Sequence, residues 1–260
     1  MSKNKKLWFG LSISTILLTL FFLTIDSTLM FKSIANANYL FIVPAIGLYL
    51  ISLLFRTFRW QILLRHIKKI DVGRLYPVVI VGYMANNLLP FRLGELVRSY
   101  YLGEREDISK TAALVTIFIE RLLDALTLLL FIAVAAMFIP LIGLAESFGE
   151  KFKIPWLILV ISLSMPFVIA FIALLLMSFY PSKAKSMSLT ITNLISASKH
   201  LDQMLDSFLS GLTTLRSPKI ILSLFLISVP IWLLEAGLFF LIGLSFNLDE
   251  IYGNPMKMAL

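Results

Sequence analysis

Long apolar runs separated by short basic stretches organise this chain. Five runs stand out: Leu7 to Ile25, Tyr39 to Leu64, Thr111 to Ile142, Pro155 to Phe179 and Lys219 to Phe246. A helix needs roughly 20 consecutive apolar residues to cross hydrocarbon, and each run reaches or approaches that length. The pattern predicts an all-α, polytopic transmembrane helix bundle. The first run follows Lys3, Lys5 and Lys6, as a signal peptide would, but no small-x-small cleavage site follows it and more spans come later, so it reads as a retained helix. Between Met187 and Leu215 the period changes. Met187, Ile191, Leu194, Leu201, Leu205, Phe208, Leu212 and Leu215 fall at helical spacing, with Lys199, Asp202, Gln203 and Asp206 opposite. One amphipathic helix is expected there, lying along the cytoplasmic interface or packing beneath the bundle. Docking a partner through a short coiled coil is the lesser alternative, because no flanking charge pattern specifies a partner.

Composition agrees with a membrane class: 59% of residues are hydrophobic and 15% are charged, too few for the surface of a soluble domain. The net charge of +8 invites a nucleic-acid reading, but its distribution excludes one. Basic residues gather at the N-terminus, over Arg56 to Arg74, over Arg92 to Lys110 and over Lys183 to Lys219. With all four clusters cytoplasmic, the positive-inside rule is obeyed throughout and the N-terminus lies inside. Affinity for anionic lipid comes with such loops. Cysteine is absent, which removes thiolate chemistry and Cys-held metals. His66 and His200 have no neighbouring ligand spacing, so no metal or cofactor is expected.

That orientation constrains the next segment. Leu75 to Leu102 must begin and end on the same side, since a full crossing would carry the basic Lys183 to Lys219 loop outside. A re-entrant helix pair is therefore expected. Pro77, Gly82, Asn86-Asn87 and Pro90 interrupt an apolar run too short for an ordinary span. Irregular backbone at membrane depth survives only inside protein or beside a watery cavity, so the Asn-Asn-Leu-Leu-Pro turn is expected to line one.

The charges cluster around that break. Arg92, Glu95 and Arg98 recur at spacings of three and share a helix face, while Glu120 and Asp124 are i, i+4 partners on the following long helix, with Arg121 beside them. Stacked carboxylates need a cation between them, and Arg92 or Arg98 are the expected donors. Ionisable residues inside a membrane read as a substrate or ion site by default. Arginine forks with asparagine amides suit a phosphate or another anionic head group. In that reading Arg92, Arg98 and Arg121 hold the phosphate, and Asn86 and Asn87 give neutral hydrogen bonds. Glu95, Glu120 and Asp124 orient the arginines or meet a cationic substituent. The competing reading is a buried ion network that only locks helices together. Glu235 has two readings, the same cavity or a bond to a neighbouring helix. Arg56, Arg59 and Trp60 are expected as interfacial anchors.

Taken in order, Arg-Thr-Phe-Arg-Trp at 56–60, the Asn86 to Arg98 motif and Glu120-Arg121-x-x-Asp124 resemble the lysylphosphatidylglycerol synthase transmembrane region family. The resemblance covers most of the chain. It implies a flippase-like domain with re-entrant helices in an inverted repeat, handling a lipid with an anionic or aminoacylated head group in a bacterial or archaeal plasma membrane. Two departures qualify it. Family members continue into a second re-entrant motif, absent before Leu260, so residues 1–260 read as a single flippase-like domain truncated at the C-terminus, with half of the inverted repeat. No synthetase domain is present, so no enzyme activity is expected of these residues. The expected partners are a membrane lipid and a lipid-modifying synthase or glycosyltransferase. The alternatives are an accessory subunit that docks such a synthase, and a membrane transferase with Glu120 or Asp124 as base. The transferase reading lacks a nucleotide motif, a metal-ligand cluster or an activated nucleophile.

Overall fold

A computed structural model describes residues 15, 19–89, 93–138, 156–186 and 199–248. Arg92, most of the Leu7 to Ile25 run, the start of the Met187 to Leu215 stripe and residues 249–260 lie outside the described residues. Among the described residues every regular element is a helix. The chain divides into two compact units, residues 1–48 with 236–260, and residues 49–235.

In the first unit α1 (Ser27–Asn36) is capped by Asp26, whose Oδ1 accepts from the Thr28 and Leu29 N–H groups at 2.9 and 3.1 Å. A 3-10 turn at Tyr39–Phe41 leads into α2 (Ile42–Leu64). The Asn38 N–H donates at 2.8 Å to the carbonyl of Ser245, which would otherwise be an orphan at a helix end.

The second unit holds the remainder of α2, then α3 (Val72–Leu88), α4 (Gly94–Glu106), α5 (Lys110–Phe138), α6 (Trp156–Phe179), α7 (Lys199–Leu212) and most of α8 (Pro218–Ser245). Among the described residues two helices are long and apolar enough to cross a membrane, Tyr39–Leu64 and Pro218–Ser245, with 26 and 28 residues. The 29 residues of α5 are longer still, but Glu120, Arg121 and Asp124 interrupt them.

α3 and α4 form an antiparallel hairpin. Lys68, just before α3, puts Nζ 3.3 Å from Glu106 Oε2 at the end of α4, and Arg74 Nη1 lies 3.6 Å from Glu106 Oε1. Glycine sets the close approach of the two helices. A Cβ on Gly94 would collide with the Gly82 carbonyl and stand 2.5 Å from the Asn86 nitrogen, and one on Gly82 would stand 2.9 Å from Arg98 Cβ. Seventeen residues make α3 about 25 Å long, most of a hydrocarbon core, and the chain then turns back.

α5 is the spine of this unit. Its buried positions Ala113, Thr116, Ile117, Glu120, Leu123, Asp124 and Thr127 follow helical spacing, so its polar stripe faces protein. α7 packs on it rather than lying free, with Gly211 against Val115 and the Ala112 carbonyl, and with Leu212 and, in the 3-10 turn Thr213–Arg216 that follows, Leu215 fully buried. Hydroxyls tie the layers together: Ser178 donates to the Leu212 carbonyl and Thr214 to the Leu63 carbonyl, both at 2.8 Å. Where lipid tails are as apolar as leucine, such bonds and close small-residue packing replace the hydrophobic effect between helices.

Candidate functional site

The centre of the second unit is a network of four arginines, Arg56, Arg59, Arg98 and Arg121, and four carboxylates, Glu95, Glu120, Asp124 and Glu235. Arg59, wholly buried on α2, directs Nη1 to Asp124 Oδ1 and to Ser228 Oγ, each at 2.7 Å, and holds Nε 3.7 Å from Glu120 Oε1. Arg98, on the returning arm of the hairpin, donates from Nη1 to Glu120 Oε2 at 2.8 Å and lies 3.6 Å above the Trp60 ring. Trp60 in turn donates from Nε1 to Thr116 Oγ1 at 2.9 Å. Each deep charge thus has an opposite charge and further polar or aromatic contacts, the condition for tolerating it in low dielectric.

The network then widens toward an accessible edge. Arg121 lies with Nε 3.2 Å from Glu95 Oε1, Nη1 3.3 Å from Asp124 Oδ2 and Nη2 3.2 Å from the Tyr83 hydroxyl. The side chains of Arg121 and Glu95 are 29% and 27% exposed, against 0% for Arg59 and 1% for Glu120. Arg56 bonds Glu235 through Nη2, sits 3.6 Å from Asp124 Oδ2, and packs against the rings of Tyr83 and Trp232. Trp232 donates from Nε1 to Asp124 Oδ1 at 3.3 Å. Some buried polar atoms lack hydrogen-bond partners, among them Arg98 Nε and Nη2, Arg121 Nε and Asn86 Oδ1. An apolar cavity of about 360 Å³ is lined by Leu123, Leu126, Phe171, Ile221, Leu222 and Phe225.

Over residues 7–254 the sequence fits the family described as lysylphosphatidylglycerol synthase TM region. The chain belongs to this family. Relatives within reach of direct comparison include a UPF0104 membrane protein of Methanothermobacter thermautotrophicus, 36% identical over 96 residues, which are 35% of this chain and 28% of the relative. A UPF0104 membrane protein of Methanocaldococcus jannaschii is 29% identical over 128 residues, 45% of this chain and 38% of that protein. Glycosyltransferase AglD of Haloferax volcanii is 26% identical over 120 residues, 46% of this chain and 19% of AglD. The chain therefore spans under half the length of the curated relatives it matches. No solved structure matches it. Family membership makes this a membrane protein, in agreement with the long apolar helices Tyr39–Leu64 and Pro218–Ser245.

Six of the residues expected at the site meet in the network: Glu95, Arg98, Glu120, Arg121, Asp124 and Glu235. Asn86 stands at the hairpin against Gly94, and Asn87 is exposed at the end of α3. Arg92, expected as a cation donor, lies outside the described residues. Arg98 does pair with Glu120, but Asp124 is held by Arg59, Arg56 and Arg121. The expected interfacial role of Arg56, Arg59 and Trp60 does not hold, because all three are buried inside the unit. An interfacial anchor needs a polar end in water, and these side chains end on Asp124, Glu235 and Thr116. The missed signal was periodicity, since Ser52, Arg56 and Arg59 recur at i, i+4 and i+7 and form one polar stripe in an apolar helix. Tyr83 stands alone on α3, whereas Ser228, Trp232 and Glu235 recur at i, i+4 and i+7 on α8 and form a second polar stripe of the same kind.

Proposed function

We propose that this protein is a multi-pass, flippase-like protein of the cell membrane, N-terminus cytoplasmic, that moves or handles a lipid with a charged head group. One observation carries the reading: a buried ion network, at a hairpin that turns back after about 25 Å of helix, emerges at an edge where Arg121 and Glu95 are partly exposed. Purely structural ion pairs have no need of an accessible edge, whereas a head-group site does. In this reading α3 and α4 are re-entrant, entering and leaving on the cytoplasmic side with their basic flanks Lys68, Arg74 and Arg105. The apolar cavity beside Leu123 and Leu126 offers room for an acyl or isoprenoid chain. The residues carry out no covalent chemistry, and a separate lipid-modifying synthase or glycosyltransferase acts beside them. The name of AglD, a glycosyltransferase, supports that partnership.

Reconstitution tests the reading. Fluorescent phospholipids and a polyprenyl-phosphate probe are followed across proteoliposome leaflets, with the full chain beside Arg121→Gln. Movement by the parent that drops at least tenfold in the variant is expected. Failure of the folded parent to move any probe overturns transport and leaves an accessory role beside the synthase.

A further inference from the structure

We infer that the ligand of the accessible edge is a zwitterionic head group bearing one phosphate and one primary ammonium, which binds by exchanging with the Arg121–Glu95 ion pair. This rests on the edge being the head-group site. The first argument is charge balance. Four arginines already face four carboxylates among the described residues, so a net anion entering this network would leave a charge uncompensated in low dielectric. A zwitterion leaves the balance unchanged.

The second argument is that the edge offers both signs side by side. Arg121 presents a planar fork matched to phosphate oxygens, and Glu95 presents a carboxylate matched to an ammonium. Their mutual pairing is incomplete, since Arg121 Nε lies 3.2 Å from Glu95 Oε1 yet makes no hydrogen bond. Less is lost when such a pair opens than when an aligned one does.

The third argument comes from unpartnered atoms on the same hairpin. Asn86 Oδ1, a buried acceptor without a donor, would stand 2.6 Å from a Cβ on Gly94, the residue before Glu95. Arg98, 3% exposed and one turn after Glu95 on the same helix face, keeps Nε and Nη2 without acceptors. A primary ammonium has three N–H groups for Glu95 and Asn86, and a phosphate has oxygens for Arg121 and Arg98. A quaternary ammonium of the same charge has no N–H to give. The hairpin therefore distinguishes ethanolamine-type from choline-type and glycerol-type head groups.

Binding is measured apart from transport. Dihexanoyl phosphatidylethanolamine, phosphatidylglycerol and phosphatidylcholine are titrated into the purified full chain in neutral detergent, with tryptophan fluorescence as the readout. Trp232 and Trp60 both touch the network. The ethanolamine lipid is expected to bind at least tenfold more tightly than the other two. Glu95→Gln is expected to erase its advantage over the choline lipid, while circular dichroism stays that of the parent. Equal or tighter binding of phosphatidylglycerol, or binding of none of the three by folded protein, overturns the inference. Ethanolamine-selective binding without movement in proteoliposomes leaves the inference standing and defeats transport. Movement of lipid without selectivity does the reverse.

Discussion

Two ends of one ion network do different work with the same side chains. At the deep end Arg59, Arg98, Glu120 and Asp124 are at most 6% exposed and are tied to Ser228, Trp60 and Trp232. At the outer end Arg121 and Glu95 are more than a quarter exposed and meet without an aligned hydrogen bond. Burial decides which role a charge pair plays. A deep pair cannot open without stranding a charge in low dielectric, so it fixes helix positions. An edge pair can trade its partner for a ligand at small cost.

The sharpest way to break this contrast is at Arg59. Arg59→Leu removes the cation shared by Asp124 and Glu120 and leaves Ser228 Oγ without its donor. Losing one member of a buried pair costs about 3–5 kcal/mol. A large drop in the thermal midpoint of the detergent-solubilised protein, or failure to recover folded protein, is expected. If Arg59→Leu melts like the parent, the deep end is not structural and the distinction between the two ends fails.

The hairpin that presents both ends comes next. Gly94→Ala drives a methyl group into the Gly82 carbonyl and the Asn86 amide, and backbone on both arms must shift to admit it. Overpacking of this kind costs about 1–3 kcal/mol. A lower midpoint than the parent, smaller in effect than Arg59→Leu, is expected, with loss of lipid movement because Arg98 and Glu95 ride on the displaced arm. Gly47→Ala is the control, since nothing lies within 4 Å of its added methyl. Equal midpoints for the two alanine variants would show that the hairpin is loosely packed.

The sequence marked both residues of the outer end and all of the deep end but Arg59. Glu95, Arg98, Glu120, Arg121 and Asp124 were legible because ionisable residues inside apolar runs are costly and therefore few. The sequence placed interruptions at Pro77, Gly82, Asn86 and Asn87, yet α3 runs through all four as one helix to Leu88, and the hairpin's closure on Gly94 needs three-dimensional contact to see. Arg56 and Arg59 were misread for a physical reason: they lie near the end of a span, where basic residues serve orientation. Only the partner across 65 residues, Asp124, makes Arg59 a core residue. The helix from Lys199 was legible in its amphipathic period, while its choice between interface and bundle depended on Gly211 meeting α5. Ser228 and Trp232 share a helix face with Glu235, but which partners that face meets, Arg59 and Asp124, needed the structure.

At the outer pair a change in lipid selectivity is expected with almost none in stability. Glu95→Gln keeps the size and the hydrogen-bonding capacity of the side chain while removing its charge. Arg121 retains Asp124 and Tyr83, so no buried charge is stranded. Partly exposed pairs contribute about 0–1 kcal/mol, and a midpoint close to the parent's is expected. The exposed pair of Lys110 and Glu104, 2.5 Å apart on the surface, sets the comparison, because Glu104→Gln should leave both midpoint and lipid binding unchanged. Glu95→Gln should match it in melting and depart from it only in losing the preference for a primary ammonium. If Glu95→Gln instead melts as low as Arg59→Leu, the outer pair is as structural as the deep one. The edge would then be a continuation of the lock that holds the helices, with no head group to exchange against.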